Sequence, residues 1–546
     1  WDTLEVQTER NPDGTALLSV SHDVSEVDAV TFKEISSASG RFAGILASSG
    51  IQKGSRLLVM LPRLPDWYDV VLGCIRLGVV PIPTTTMSTV QDISYRLARS
   101  GSSVVVCLPS DVAKVATALA EDPALQEAVK HKWVIQDRYK VAVPLTDAEK
   151  EDGWKEYAGI AVEEALACPA REELQRRGYE DTKMREPMIL YFTSGTTGKP
   201  KMVRHDHGYA LSFERPAKEV MLCSGEDVQW SLSDTGWAKT SYGKLYGQWA
   251  VGTTVVQYRQ EGRFDGTLAL QLVEKTRVSI LCVPPTVYRM FVQLDMSQVD
   301  LSCLQRCYSA GEPLNPEVIR VWKQRTGLDV HEFYGQTETG IIVANVPGSP
   351  LKYGSMGRPV PGYTVEVVDE QGHVLAENEA GHIAVKVEPY KPLGVFTDYW
   401  QEEAMTINSF QHGWYYTQDK GYRDGDGYIW YVGRADDVFK SSGYRIGPFE
   451  VESALIEHNA VAEAAVVGVP DPEGTRGLLI KAFIILAKGF DASPELKKEL
   501  QKHVKHATAP YKYPRLIDFV DSLPKTISGK IRRAELRRRE EAKVKG

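Results

Sequence analysis

Short apolar runs rich in β-branched residues alternate with helix-like segments through most of this chain, and that alternation limits the folds open to it. Arg56–Leu61, Ser103–Leu108, Met188–Thr193, Thr253–Tyr258, Val278–Val283 and Val330–Phe333 read as strands. Asp66–Leu77 and Val112–Ala120 carry helical periodicity between them. Several of the strand runs lack period-two alternation, as expected where helices cover both faces of a sheet. The pattern predicts α/β layers with largely parallel sheets. With 546 residues the chain exceeds the size at which one hydrophobic core stops growing, so more than one domain is expected.

The pattern changes after Gly357. Val365–Val368 and His382–Val387 alternate more strongly around the turn residues Gln371-Gly372, which predicts a small strand-rich subdomain. Beyond Arg434 the order is helix Pro448–His458, strands Val461–Val469 and Ile480–Leu486, helix Pro494–His506 and strand Leu516–Val520, a compact α+β domain. The charged stretch Thr146–Glu186 reads as a surface excursion, and Arg532–Lys545 as an exposed helix end rather than a nucleic-acid arm. No internal repeat of fixed period is visible.

Acidic residues outnumber basic ones 72 to 64, a net charge of −8, so no global field attracts nucleic acid. The most apolar stretch, Val70–Pro83, is interrupted by Arg76 and is too short to span a bilayer. The chain starts at Trp1 without a basic-then-apolar leader. Seven cysteines, an odd number with no CxxC pair, argue against a disulfide framework. The expected location is therefore a reducing intracellular compartment: the cytoplasm, or the mitochondrial matrix where a leader has been removed. The pairs His205/His207 and His503/His506 lack further ligands at a metal-binding spacing.

The most informative segment is Tyr191-Phe-Thr-Ser-Gly-Thr-Thr-Gly-Lys-Pro-Lys201, which follows an apolar strand. Its glycines allow a tight turn, and Thr193, Ser194, Thr196 and Thr197 crowd hydroxyl donors beside Lys199 and Lys201. Such a loop can wrap the β- and γ-phosphates of a nucleotide. A Walker A loop needs wider glycine spacing and Ser or Thr after the lysine, whereas Pro200 follows Lys199. Downstream come Ser309-Ala-Gly-Glu-Pro313 and Tyr334-Gly-Gln-Thr-Glu-Thr-Gly340, where Thr337 can donate to phosphate and Glu338 offers Mg²⁺ a hard oxygen. Gly413-Trp-Tyr-Tyr-Thr-Gln-Asp419 and Gly433-Arg-Ala-Asp-Asp437 follow, then Ser442-Gly-Tyr-Arg445 and Pro524-Lys-Thr-Ile-Ser-Gly-Lys530. An Asp can accept from both ribose hydroxyls, and an Arg can complement ribose or phosphate.

In this order the motifs resemble the adenylate-forming superfamily almost from end to end. Ser233-Asp-Thr-Gly-Trp237, Tyr334-Gly-Gln-Thr-Glu338, Gly433-Arg-Ala-Asp-Asp437, Ser441-Ser-Gly-Tyr-Arg-Ile-Gly-Pro448 and Ala509-Pro-Tyr-Lys-Tyr-Pro514 are similar to medium-chain acyl-CoA synthetases. The resemblance implies an α/β fold: a large layered N-terminal domain with a strand-rich subdomain, residues 1–434, plus a small mobile α+β C-terminal domain, residues 437–546, with a hinge near Asp436. It implies an ATP-dependent acid:CoA ligase that forms acyl-AMP and pyrophosphate, then acyl-CoA and AMP. An adenylation module that loads a carrier protein's phosphopantetheine arm is the alternative. The partners implied are a carboxylic acid, ATP and CoA, with Mg²⁺ as cofactor and no nucleic acid.

Residue by residue, the resemblance makes Lys530 the catalytic cation bridging carboxylate and α-phosphate. It lies beside Arg532 and Arg533 in a charged tail, where lysines are ordinarily just solvated. Thr193, Ser194, Gly195, Thr196, Thr197, Gly198, Lys199, Pro200 and Lys201 would hold the phosphates, and Glu338 the Mg²⁺. Gly311, Glu312 and Pro313 would adjoin the adenine with Glu332, Phe333, Tyr334, Gly335, Gln336 and Thr337. Asp419 and Arg434 would take the ribose, and Arg445 the adenylate. Ser442, Gly443, Tyr444, Arg476 and Lys505 would meet CoA once the domains have rotated. Acetate-specific relatives place Trp at the position of Gly335, so glycine, with Trp237, Thr240 and Tyr242, implies room for a medium-length, branched or aryl acid. The match departs at Met202, where many relatives carry Gly, and Lys440 stands at a position that varies among subfamilies.

Overall fold

The computed structural model describes residues 2–160, 171–176, 181–193, 200–441, 444–471, 478–526 and 530–545. Among these residues, nine strands form one sheet in the order Arg358–Pro359, Gly340–Ala344, Val330–Gln336, Arg306–Ala310, Ile280–Cys282, Val228–Ser231, Thr254–Tyr258, Thr15–Val20 and Val27–Thr31. Its six middle-to-late members, from Val330–Gln336 to Thr15–Val20, run parallel, and the outer strands are antiparallel. A second, all-parallel sheet has the order Val80–Pro83, Arg56–Met60, Val104–Cys107, His131–Val134 and Trp154–Glu156. Leu57–Val59 and Val104–Val106 are completely buried, which explains their unbroken apolar sequence. The covering helix Pro65–Leu77 starts with Pro in its first turn and stops at Gly78, whose left-handed backbone (φ 70°) suits glycine.

The strand-rich subdomain is an antiparallel sheet of Val365–Val368, Gly381–Lys386, Trp414–Arg423 and Phe410–Gln411, with Ile429–Arg434 added along Trp414–Arg423. A smaller antiparallel sheet joins Pro187–Phe192, Met202–Asp206 and Asp398–Tyr399. The C-terminal part combines the hairpin Phe439–Ser441/Tyr444–Ile446, the sheet Val461–Pro470, Leu478–Leu486 and Leu516–Phe519, and the helices Pro448–Ile456, Pro494–Ala507 and Arg533–Lys545. No helix among the described residues is long and apolar enough to cross a membrane.

The predicted strands appear within a few residues of their expected ends. Val330–Gln336 runs three residues beyond the apolar run because Gly340–Ala344 pairs back along it. Two expectations are corrected. Thr146–Glu186 is not wholly a surface excursion: Trp154 is buried, and its strand forms an edge of the second sheet beside His131–Val134. The terminal helix is not simply exposed. Leu536 packs with Ala465, Val467 and Phe483, and Glu540 is buried against Lys481 at 2.7 Å. Its long charged side chains masked this apolar contact in the sequence. Leu536→Ala should cost about 2–5 kcal/mol. Hydrogen exchange should then accelerate across Val461–Pro470 and stay unchanged at Val104–Cys107; unchanged protection in both would place the helix off the sheet.

Candidate active site

The site begins where parallel strands end, the usual position for ligands in open α/β sheets. Arg306–Ala310 and Val330–Gln336 deliver two loops at their carboxyl ends. Gly311 leads the first loop with φ 102°, a conformation that favours glycine. Leu314 N–H donates to Glu332 Oε1 at 2.8 Å, tying that loop to the neighbouring strand. Glu332 is 7% exposed, and burial pushes its carboxyl up to about 8. Burial also raises the Glu312 carboxyl, against the attraction first of Lys530 and then of Arg289.

The second strand carries the densest network. Strand alternation puts Tyr334 and Gln336 on one face, where both reach the same carboxylate. Tyr334 O–H donates to Asp419 Oδ2 at 2.6 Å, and Gln336 Nε2 donates to it at 2.7 Å. Gln336 also donates to the Thr417 carbonyl at 2.7 Å and accepts from Tyr415 O–H at 3.0 Å. Asp419 lies in the strand Trp414–Arg423, directly opposite Arg434 across the antiparallel pair. Their charged groups approach to 3.5 Å. Burial raises the Asp419 carboxyl, opposed by Arg434, the Tyr334 hydrogen bond and the charge of Lys530. Burial opposes the Arg434 charge, but Asp419 and Asp436 outweigh it and hold the guanidinium above its ordinary range.

The phosphate segment closes a hairpin between Pro187–Phe192 and Met202–Asp206. Thr193 N–H donates to the Lys201 carbonyl at 2.9 Å, Lys201 N–H to Thr193 Oγ1 at 3.3 Å, and Tyr95 O–H to the Pro200 carbonyl at 2.9 Å. Ser194, Gly195, Thr196, Thr197, Gly198 and Lys199 lie outside the described residues. Glu338 stands beside this hairpin. Its Oε1 accepts from Tyr399 O–H at 2.8 Å, and its carbonyl accepts from Phe396 N–H at 2.7 Å. His205 Nε2 lies 2.7 Å from the Thr337 carbonyl, which can only accept, so this nitrogen carries the proton. Burial pushes His205 down to about 3, and the ring is neutral and stacked on Tyr209. His205 thus serves packing and hydrogen bonding, and His503 Nε2 lies 2.9 Å from the Ala454 carbonyl.

The C-terminal part contributes Lys530. Its side chain is exposed, and its positive charge favours the ionised forms of Glu312 and Asp419 against the effect of burial. Its backbone is fixed by Thr526 N–H to Lys530 O at 2.8 Å and Lys530 N–H to Thr526 Oγ1 at 3.1 Å. Near the expected hinge, Asp436 is exposed while Asp437 is buried and paired with Arg533 and Arg537. Tyr444 and Lys505 instead contact rings of the C-terminal part: Tyr444 stacks on Tyr511 at 4.0 Å, and the Lys505 ammonium lies 4.0 Å above Tyr513. Arg445 contributes its backbone to the strand Tyr444–Ile446, while Ser442, Gly443 and Arg476 lie outside the described residues.

Three expectations need correction. A Cβ built on Gly335 would overlap the Gly340 carbonyl oxygen, so this glycine is required by the close strand pair rather than by an open pocket. Thr240 is completely buried and gives its hydroxyl to the Asp234 carbonyl at 2.8 Å, which braces the 233–237 loop. Phe333 turns into the core beside Tyr242 and Tyr308 instead of toward the loop that carries Glu312. Half-buried Trp237 and Tyr242 remain as candidate walls, with Phe213 stacked 6.0 Å from Tyr242. Several supporting residues escaped sequence reading. Lys244 Nζ and Arg63 Nε converge on the Ser233 carbonyl at 3.1 and 2.9 Å, and Tyr399 and His205 hold the Glu338 loop. None of these lies in a recognisable motif; a buried lysine in a helical stretch gives no local signal.

The chain matches the AMP-binding enzyme family over residues 4–400 and the AMP-binding enzyme C-terminal domain over residues 450–530. It is similar to the mitochondrial acyl-coenzyme A synthetase ACSM3 of Rattus norvegicus, with 43% identity covering 93% of this chain and 84% of the relative. Among solved structures it resembles the anthranilate CoA ligase AuaEII in complex with anthranoyl-AMP, at TM-score 0.83 and 27% identity over 99% of this chain and 96% of the other. It also resembles a benzoate CoA ligase from Burkholderia xenovorans LB400, at TM-score 0.80 and 28% identity over 98% and 99%.

Two outcomes follow from this geometry. Gly335→Ala should displace the Val330–Gln336/Gly340–Ala344 hairpin and raise KM for ATP and acid together by about tenfold or more, as the loss of roughly 1.4 kcal/mol of binding would. Altered acid preference with an unchanged KM for ATP would restore Gly335 as a pocket wall. For Glu332, the unfolded chain ionises near its ordinary 4.5 while the folded carboxyl keeps its proton to about 8. Stability therefore falls as pH rises through that window. Glu332→Gln removes the slope, so the wild-type melting temperature should drop relative to the variant between pH 5 and 8; parallel curves would show that Glu332 titrates normally.

Proposed function

Because the chain belongs to the AMP-binding enzyme family and is an acyl-coenzyme A synthetase, we propose that this site adenylates an aryl or medium-chain carboxylic acid with Lys530 as the cation between the reacting groups. The observation that carries this reading is the buried Asp419, held by Tyr334 and Gln336 and facing Arg434, with the charge of Lys530 felt there from a separate part of the chain. The substrates are a carboxylic acid, ATP and CoA. A carboxylate oxygen attacks the α-phosphorus, the α–β phosphoanhydride bond breaks, and pyrophosphate leaves. The CoA sulfur then attacks the acyl carbonyl carbon, its proton passes to solvent, and AMP leaves with the electrons of the broken acyl–oxygen bond. Neither step needs a side-chain nucleophile.

The first step crowds carboxylate, α-phosphate and pyrophosphate together, and positioned cations lower that repulsion. Lys530 has the reach and charge for this role. Asp419, held by Tyr334 and Gln336, has Oδ1 turned toward Arg434, and the two suit a ribose diol. The loop at Gly311–Pro313 and the backbone of Tyr334–Thr337 would border the adenine, while 193–201 would hold the phosphates. Mg²⁺ commonly binds one or two carboxylates together with substrate phosphates. Glu338 fits this mode: among the described residues one oxygen accepts from Tyr399 and no hydrogen bond engages the other. Among the described residues no cluster of three ligating groups offers a stand-alone metal cage. When bound with ATP, the ion would neutralise charge on the leaving pyrophosphate.

Tyr242 and Phe213 form an aromatic wall consistent with an aryl or medium-chain acid. The anthranilate and benzoate ligases are named for aryl acids, which supports the same class. Residues 1–434 and 437–546 act as two domains about Asp436 in this reading. Rotation would withdraw Lys530 and present Ser442, Gly443 and Tyr444 to the thiol, with Arg445 at the adenylate and Arg476 and Lys505 at the CoA phosphates. Six free cysteines among the described residues and the mitochondrial relative favour a reducing compartment, the mitochondrial matrix.

Lys530→Ala should slow acid-dependent pyrophosphate release by about 100-fold or more, while thioester formation from supplied acyl-AMP changes by only a few-fold. Equal losses in both half-reactions would remove Lys530 from its assigned role. A panel of carboxylic acids, read by CoA-dependent AMP formation, tests the acid class; turnover confined to acetate would exclude it.

A further inference from the structure

We propose that the Tyr399 phenol is a positioning residue that fixes the Glu338 carboxylate for metal-bound ATP, an inference that rests on the metal role proposed for Glu338. Tyr399 is 4% exposed and closes the short strand Asp398–Tyr399, opposite Val203 in the sheet that carries the phosphate hairpin. Its N–H donates to Thr406 Oγ1 at 3.0 Å, its ring lies 4.8 Å from Phe396, and Asp398 beside it pairs with Arg204. The phenol therefore has a fixed position before any ligand arrives. The Glu338 carboxylate oxygen accepts, so the phenol acts as the donor.

That donor reaches Glu338 Oε1 at 2.8 Å, while the ring face lies 5.0 Å from the Lys201 ammonium. One aromatic side chain thus touches the carboxylate and a cation at the end of the phosphate segment. Glu338 itself belongs to the loop after Val330–Gln336, in a different sheet. The phenol is the side-chain bridge that sets the distance between the phosphate hairpin and this carboxylate. A half-buried glutamate without it would sample several rotamers, and binding a metal would then cost the entropy of choosing one. Hydrogen bonds that orient metal ligands typically change metal affinity by about 10–100-fold.

Tyr399→Phe removes the hydroxyl and keeps the ring that packs on Phe396 and faces Lys201. The half-saturating Mg²⁺ for acid-dependent pyrophosphate release should rise by about tenfold or more, with kcat recovered at saturating Mg²⁺. Binding of MnCl₂ with ATP in the absence of acid, followed by electron paramagnetic resonance, should weaken by a similar factor. The melting temperature without nucleotide should stay unchanged. Glu338→Asp, too short to meet the phenol, should show the same weakening, and adding Tyr399→Phe to it should add nothing. Unchanged metal constants in Tyr399→Phe, or a lowered melting temperature as its sole effect, would make the hydroxyl structural and overturn the proposal. If Glu338→Gln also leaves the metal constants unchanged, the metal role of Glu338 fails; if only Tyr399→Phe does, that role stands and the positioning role falls.

Discussion

A carboxylate buried among fixed donors organises this molecule. Asp419 would be costly to bury alone, since a desolvated charge without partners is strongly disfavoured. Tyr334 and Gln336 approach it from the nine-stranded sheet, and Arg434 faces it from the adjoining strand of its own sheet. The same contacts that make the charge tolerable hold the two sheets at one angle and one separation. Tyr415 and the Thr417 carbonyl extend the network around Gln336, so the site floor is rigid before any nucleotide arrives. Preorganisation of this kind matters in phosphoryl chemistry, where the protein's contribution is mostly placement and charge.

The remaining charges are arranged around that floor with opposite signs from different parts of the chain. Glu312 and Asp419 are both raised by burial, and both feel Lys530. The charge of the C-terminal lysine partly compensates these buried anions, and in the adenylation role proposed for it the same charge would face a phosphate instead. Asp437 and Glu452, linked through Arg533, lock the terminal helix to the rest of the C-terminal part. That helix and the loop bearing Lys530 are contiguous in sequence, so their movement would be coupled. Asp436, where the proposed rotation would fall, is exposed and lies outside this lock.

The corrections share one cause. Gly335 looked like an absence that enlarges a pocket, yet its missing side chain points at the Gly340 carbonyl. Phe333, one residue from the network, turns into the core. Strand alternation puts Phe333 and Gly335 on the face opposite Tyr334 and Gln336, and only the pairing with Gly340–Ala344 brings the Gly340 carbonyl against Gly335. Thr240 was misplaced for a similar reason, because its nearest acceptor is the backbone of a loop it helps to close.

Strand and helix positions were legible along the chain because burial on both faces demands unbroken apolar runs and helices demand periodic ones. The ATP-facing loops were legible too, since glycine, hydroxyl and lysine density is needed wherever a backbone must approach phosphate. Family membership followed from the order of those loops. What the tertiary structure alone decided is which way each side chain points and which distant groups meet: Tyr399 on Glu338, His205 on Thr337, Lys244 on Ser233, and Tyr334 on Asp419. These pairings join residues far apart in sequence through sheet register and chain crossings, and no local pattern of residues encodes a distance across two sheets.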